Sequence, residues 1–193
     1  YHSLPNTSQK KQADWLIAQG VDHVIGSHPH VVQPMEVKED LHHPSQHLVV
    51  YSLGNFISNM SKENTDGGAM VKLVLKKTAG ITRMDSCGYS FVWTSRPILS
   101  KKKNFEVYPA SFITKPIQNE ELKPFNKFLE NIRELYRKHT SGIKEYFFWK
   151  KIPELFGDSK KSRTFASQSK MIAKQTNMVT IVQSVRASDC GSE

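Results

Sequence analysis

Gly20-Val21-Asp22-His23-Val24-Ile25-Gly26-Ser27-His28-Pro29-His30-Val31-Val32-Gln33-Pro34 is answered, after a polar loop, by Leu48-Val49-Val50-Tyr51-Ser52-Leu53-Gly54-Asn55-Phe56. Each stretch is a short, β-branched apolar run that stops at small and polar residues, the pattern of a buried strand. The first run, Val21 to Ile25, ends at Gly26-Ser27 and presents His28 and His30. The second, Leu48 to Leu53, ends at Gly54-Asn55. Strand ends are where a rigid scaffold places chemistry.

Pro29 fixes its own φ and keeps His28 out of the helical region. Gly26 lets the backbone turn without a Cβ clash. A tight turn can then bring the two imidazoles together, and imidazole suits Zn, Mn, Fe, Co and Ni. Two readings stand: a metal-ligand pair, or polar loop residues that act as structural hydrogen bonders. Asn55 carries two readings as well. Its amide reaches a phosphate or a metal-bound water, or else it satisfies the turn, as Asn does in many loops. Ser52 is a weaker candidate for the same roles.

The wording Gly26-Ser27-His28-Pro29-His30-Val31-Val32-Gln33-Pro34 followed by Tyr51-Ser52-Leu53-Gly54-Asn55-Phe56 closely resembles the CapA family of capsule and poly-γ-glutamate biosynthesis proteins. Pro5, Gln9, Leu16-Ile17 and Gly20-Val21-Asp22 resemble that family's lead-in helix. The likeness runs from Tyr1 to Pro97 and more loosely to Ser111. The resemblance implies an α+β (α/β sandwich) fold: the C-terminal half of a calcineurin-like metallophosphatase two-sheet sandwich flanked by helices, plus a helical C-terminal extension. It divides the chain into residues 1–111, the C-terminal part of the CapA-like domain, and residues 112–193, a helical extension and irregular tail without an assigned role.

For the site, the resemblance implies that His28 and His30 are the last pair of metal ligands, one leaning toward each of two divalent ions (Mn, Fe or Zn); Asn55 and Ser52 stand, on their own chemistry, as candidate substrate or second-sphere residues. The other ligands would come from Asp, His and Asn motifs that do not occur ahead of Tyr1 in this sequence. His2 lies a few residues past the family's His-Trp-Gly segment and is not carried over as a ligand. With two imidazoles alone a metal is under-coordinated, so this polypeptide by itself is not expected to be a competent hydrolase. The missing N-terminal half of the domain is then a partner. An anionic polymer or phosphate-containing substrate and a membrane-associated biosynthesis complex are the others. The expected location of the full-length form is the cell envelope or otherwise extracytoplasmic. The alternatives are a general metal-dependent phosphoesterase and a non-enzymatic polyanion-binding module.

Composition limits the choices. The 193 residues suffice for one substantial core, and 38% hydrophobic with 23% charged residues suits a globular fold. The chain opens at Tyr1 rather than Met, as a piece or a processed chain does. Lys and Arg number 27 against 18 Asp and Glu, a net charge of +9 that attracts anions. The basic residues are spread out, without an aromatic-interleaved or nucleic-acid-binding signature, so no nucleic-acid partner is expected. Cys87 and Cys190 are too far apart for a Cys-x-x-Cys pair. No apolar run reaches the roughly 18 residues of a membrane-spanning helix.

Along the chain, Asn6, Thr7 and Ser8 offer caps for a helix carrying Ala13, Leu16 and Ile17, closed by Gly20. His23 is expected to be packed or surface-paired. Val31 to Val37 reads as a strand interrupted at Pro34, in an edge position. Lys38 to His47, with His42 and His43, reads as a polar connection. Ser58 to Gly68 reads as a loop, and Ala69 to Lys76 as a strand. Ala79-Gly80 reads as a turn, with partner strands over Ile81 to Ser86 and Phe91 to Thr94. Phe105 to Pro109 follows as a last strand. Leu122 to Lys138 places Phe125, Phe128, Leu129, Ile132, Leu135 and Tyr136 on one helical face, a packing helix. Tyr146 to Trp149 form an aromatic cluster in need of a partner surface. Met178 to Val185 suits a short strand.

Overall fold

A computed structural model describes residues 1–39, 45–110 and 117–146, together with the backbone of residues 178–181. Helix α1 (Thr7–Ala18) opens at Asn6, whose Oδ1 accepts from Gln9 N (2.8 Å) while Gln9 Oε1 accepts from Asn6 N (2.9 Å). This reciprocal box satisfies two of the orphan amides at the helix start. Gly20, at φ +90°, turns the chain out of the helix.

Three strands follow: β1 (Val24–Ile25), β2 (Met35–Glu39) and β3 (Gln46–Val50). β3 lies in the middle, parallel to β1 and antiparallel to β2. The alternation of β3 explains its apolar run. Val49 and Tyr51 pack with Ala13 of α1, while Leu48 and Val50 face the main core. Pro34 sits where the chain enters the edge strand β2, as its missing N–H requires.

β1 is shorter than the run Val21 to Ile25 suggests. At its start, side chains replace ladder bonds: His23 Nδ1 accepts from Leu48 N (3.0 Å), and His47 Nδ1 lies 2.9 Å from Asp22 O. Gln46 and His47 belong to β3 and Lys38 and Glu39 to β2, so both ends of the expected polar connection are paired strand. His42 and His43 lie outside the described residues.

The second sheet holds β4 (Gly67–Thr78), β5 (Ile81–Ser95), β6 (Glu106–Pro109), β7 (Lys144–Glu145) and β8 (Met178–Ile181). Its order is β6-β5-β4-β8, with β7 pairing β5. The expected turn is there, with Ala79 at φ +50° and Gly80 at +83°. The two partner strands expected after it are one strand, β5. Gly88 does not break it; an added Cβ there would sit 2.9 Å from Tyr146 Cβ, so the residue admits the segment carrying β7.

A short helix, α2 (Pro97–Ser100), precedes β6, and α3 (Asn119–His139) lies on the core. Glu121 Oε2 accepts from Gln118 N (3.0 Å), which starts α3 a turn earlier than its apolar stripe. Phe125, Phe128, Leu129, Ile132 and Tyr136 are buried, with Leu135 packed beside them. They meet Leu73, Tyr89, Phe91 and Trp93 of the large sheet and Met35, Leu48 and Val50 of the small one in a single cluster. The result is a mixed α/β architecture of two sheets and packed helices. Among the described residues no helix is long and apolar enough to cross a membrane. Cys190 and the aromatic residues 147–149 lie outside them.

Candidate metal centre

The chain between β1 and β2 forms the site. Gly26 N donates to Val50 O (2.7 Å), and Leu53 N donates back to Gly26 O (2.9 Å). A Cβ on Gly26 would overlap the Tyr51 carbonyl, so glycine is what lets these backbones touch. The turn 28–30 follows, and His30 has φ +59°, the left-handed region that side chains with a Cβ rarely adopt. Backbone strain of this kind collects at functional sites. Beyond the turn, Gln33 N donates to Ser52 O (3.0 Å) and Val32 bridges Leu53. The two stretches that the sequence singles out are thus stitched together along their length.

The His28 and His30 rings lie 6.3 Å apart, centroid to centroid, tilted by 46°. Both line an open cleft of about 780 Å3 between the turn and α1, together with Tyr1, His2, Gln9 and Tyr51. A nitrogen–metal bond is about 2.0–2.1 Å, so rings at this separation can reach one ion between them or two neighbouring ions. The pair fits part of a metal site. Among the described residues no group of three or more His, Cys, Asp and Glu donors gathers there. His2 shares the cleft without completing such a group. His23 is elsewhere, engaged with Leu48; burial lowers its pKa, with Asp22 opposing and His47 reinforcing the shift.

Asn55 and Ser52 stand behind the turn, both fully buried. Asn55 Oδ1 is 3.0 Å from His30 Nδ1, while its Nδ2 donates to Thr65 O (2.9 Å) and meets Met60 Sδ (3.5 Å). Ser52 Oγ accepts from Gly54 N (3.2 Å). Their polar atoms are therefore spent inside the protein. Three features escape the sequence. Gln33 is buried and ties the N-terminal segment down: its Nε2 donates to His2 O (2.8 Å) and Leu4 O (3.2 Å), and its Oε1 accepts from Gln9 (2.9 Å). Thr65 and Met60 hold Asn55. Lys62 lies over the Tyr1 ring, 4.9 Å from its centroid, and that ring stands edge-on to His30. Only the Gly-Asn break after a buried run hinted at any of these, and only for Asn55.

Fold and turn together define a small α/β unit that displays a proline-braced histidine pair above a buried strand. Residues 1–60 match the family described as "Bacterial capsule synthesis protein PGA_cap". The chain is 35% identical over 77 residues to the "PGA biosynthesis protein CapA" of Bacillus subtilis (strain 168), covering 40% of this chain and 19% of that protein. It is 32% identical over 76 residues to the "Capsule biosynthesis protein CapA" of Bacillus anthracis, covering 39% and 17%. The matched N-terminal segment is therefore similar to CapA proteins. The match spans about a fifth of the length of these relatives. No solved structure matches the chain.

Proposed function

We propose that this chain is part of a CapA-like protein acting in capsule polysaccharide or poly-γ-glutamate biosynthesis or export, in which His28 and His30 supply imidazole ligands to divalent metal (Mn, Fe or Zn, two ions in the complete domain). The observation that carries the reading is the pair itself: two rings on one braced turn, facing one cleft, with one ring already fixed from behind by Asn55. A ligating histidine usually donates its other ring N–H to a carboxylate, backbone carbonyl or water, and the Asn55 oxygen offers an acceptor of the same kind. The fold is read as the C-terminal half of a calcineurin-like metallophosphatase sandwich, its remaining ligands coming from another segment of the domain. A bound metal would neutralise phosphate charge and acidify a coordinated water. This chain's own part is to orient two donors and to keep the cleft open to solvent. With two donors it is not a competent hydrolase alone. The cell envelope, an anionic polymer or phosphate-bearing substrate and a membrane-associated complex are the setting proposed for it.

Titration of the chain with Co2+, Zn2+ and Mn2+, followed by absorption and calorimetry, tests the site. Weak binding that is lost in His28→Ala and His30→Ala is expected, without phosphoesterase turnover. Identical binding by the wild type and the double variant overturns the reading. The net charge of +9 favours a second reading, a polyanion-binding module. Salt-sensitive binding of polyglutamate that survives both substitutions would select it.

A further inference from the structure

We infer that Asn55 is a positioning residue that sets the tautomer of His30, placing the proton on Nδ1 and leaving the Nε2 lone pair bare. The inference deepens the metal reading and rests on it for its purpose, though the tautomer stands on geometry alone.

Thr65 supplies the decisive constraint. Its carbonyl oxygen can only accept, so the Asn55 group 2.9 Å away must be the amide nitrogen. The reverse orientation would set two acceptors against each other in a buried place, where Asn55 is 1% exposed. The Met60 sulfur takes the same side of the amide. Oδ1 is therefore the atom that faces His30, and it too can only accept. At 3.0 Å from Nδ1, it demands a hydrogen there. A neutral imidazole has one ring hydrogen, so Nε2 is left without one and becomes the donor atom available to a cation.

The frame behind the amide is stiff. Asn55 N donates to Gly67 O (3.0 Å). Thr65 is fully buried, and its N (3.1 Å) and Oγ1 (2.6 Å) both donate to Lys62 O. The left-handed backbone of His30 delivers its ring to this acceptor. A histidine in water prefers the opposite tautomer, with the hydrogen on Nε2, which blocks the nitrogen farther from the backbone. The clamp thus removes a proton rearrangement from metal capture. His28 makes no hydrogen bond through its ring among the described residues and serves as an internal control.

The test is a long-range 1H–15N correlation spectrum of the histidine rings in the metal-free full chain, at a pH where imidazole is neutral. His30 is assigned by its loss in His30→Gln. The wild type is expected to show His30 as the Nδ1–H form and His28 near the solution mixture. Asn55→Ala should revert His30 to mostly Nε2–H and weaken Co2+ or Zn2+ binding roughly 10- to 100-fold. A wild-type His30 in the Nε2–H form overturns the inference, and needs no variant to fold. A correct tautomer in a chain that binds no metal leaves the inference standing and instead sinks the metal reading.

Discussion

The Tyr136 hydroxyl donates to the Gln33 carbonyl at 2.9 Å, a buried bond between the last turns of α3 and the segment that follows the histidine turn. Burial holds the phenol well above its ordinary pKa, with the neighbouring Tyr89 adding to the shift, so it remains a donor across the working pH range. Its ring packs edge-on against Phe91, 4.8 Å between centroids. Just beyond α3, Thr140 Oγ1 accepts from Met35 N (3.3 Å), and Ser141 exchanges backbone bonds with Met35 and Val37. Helix α3 thus holds the histidine-bearing segment through polar as well as apolar contacts.

Tyr136→Phe keeps the ring and deletes the donor. The Gln33 carbonyl then loses a partner in a buried site, which costs about 1–3 kcal/mol. Urea unfolding of the two proteins should show a lower midpoint with an unchanged slope. An unaltered midpoint would mean that water replaces the hydroxyl and that the bond holds nothing together.

Acid should loosen the start of β1. His23 Nδ1 accepts from Leu48 N, which only an imidazole bare at that nitrogen can do. Burial lowers its pKa below the ordinary 6.5, Asp22 opposes, and His47 adds to the lowering. A base with a depressed folded-state pKa contributes its full stability above the unfolded value and loses it as pH falls toward the folded one. Stability should therefore decline as pH drops from about 6.5. His23→Gln, unable to titrate, should flatten that part of the profile when unfolding is followed at pH 8 and pH 5.5. An equal decline in both proteins would assign the effect to other groups.

Local signals were legible and non-local ones were not. The cap among Asn6, Thr7 and Ser8, the stop at Gly20, the run of β3 and the stripe of α3 depend on neighbours a few residues away, and the sequence carries them. The end of β1 depends on His23 and His47 reaching across to another strand, which periodicity does not encode. The space that Gly88 leaves for Tyr146, between the two strands that the sequence reading separates, shows only in the folded chain. At the site, Pro29 and the spacing of His28 and His30 announced the pair. Which groups Asn55 joins could not be read, because Thr65 and His30 come to either side of it only in the folded chain.

Gly54 should tolerate no side chain. Its φ is +69°, and a Cβ would lie 2.7 Å from Val32 Cγ2 and 2.9 Å from the Gly67 oxygen. Conformational strain and overlap with backbone act together, so Gly54→Ala should cost more than the roughly 1 kcal/mol of an incompatible glycine replacement alone. Because Gly54 precedes Asn55, the variant should also broaden the His30 ring signals. A fully stable variant with sharp His30 resonances would show that this corner yields easily.

Strand β8 supplies the last prediction. It pairs antiparallel with β4, from Val71 against Ile181 to Val74 against Met178. No other strand is seen on that edge of β4 among the described residues. Val71 and Leu73 are buried, so the uncovered edge would offer both apolar side chains and free backbone groups to another chain. A protein ended after residue 146 keeps both sheets' remaining strands and α3, yet it should self-associate. Its elution volume should fall with rising concentration, while the full chain elutes unchanged over the same range. A truncated protein that stays monomeric at high concentration would mean that β8 is dispensable as a cover and that the twist of β4 already guards its edge.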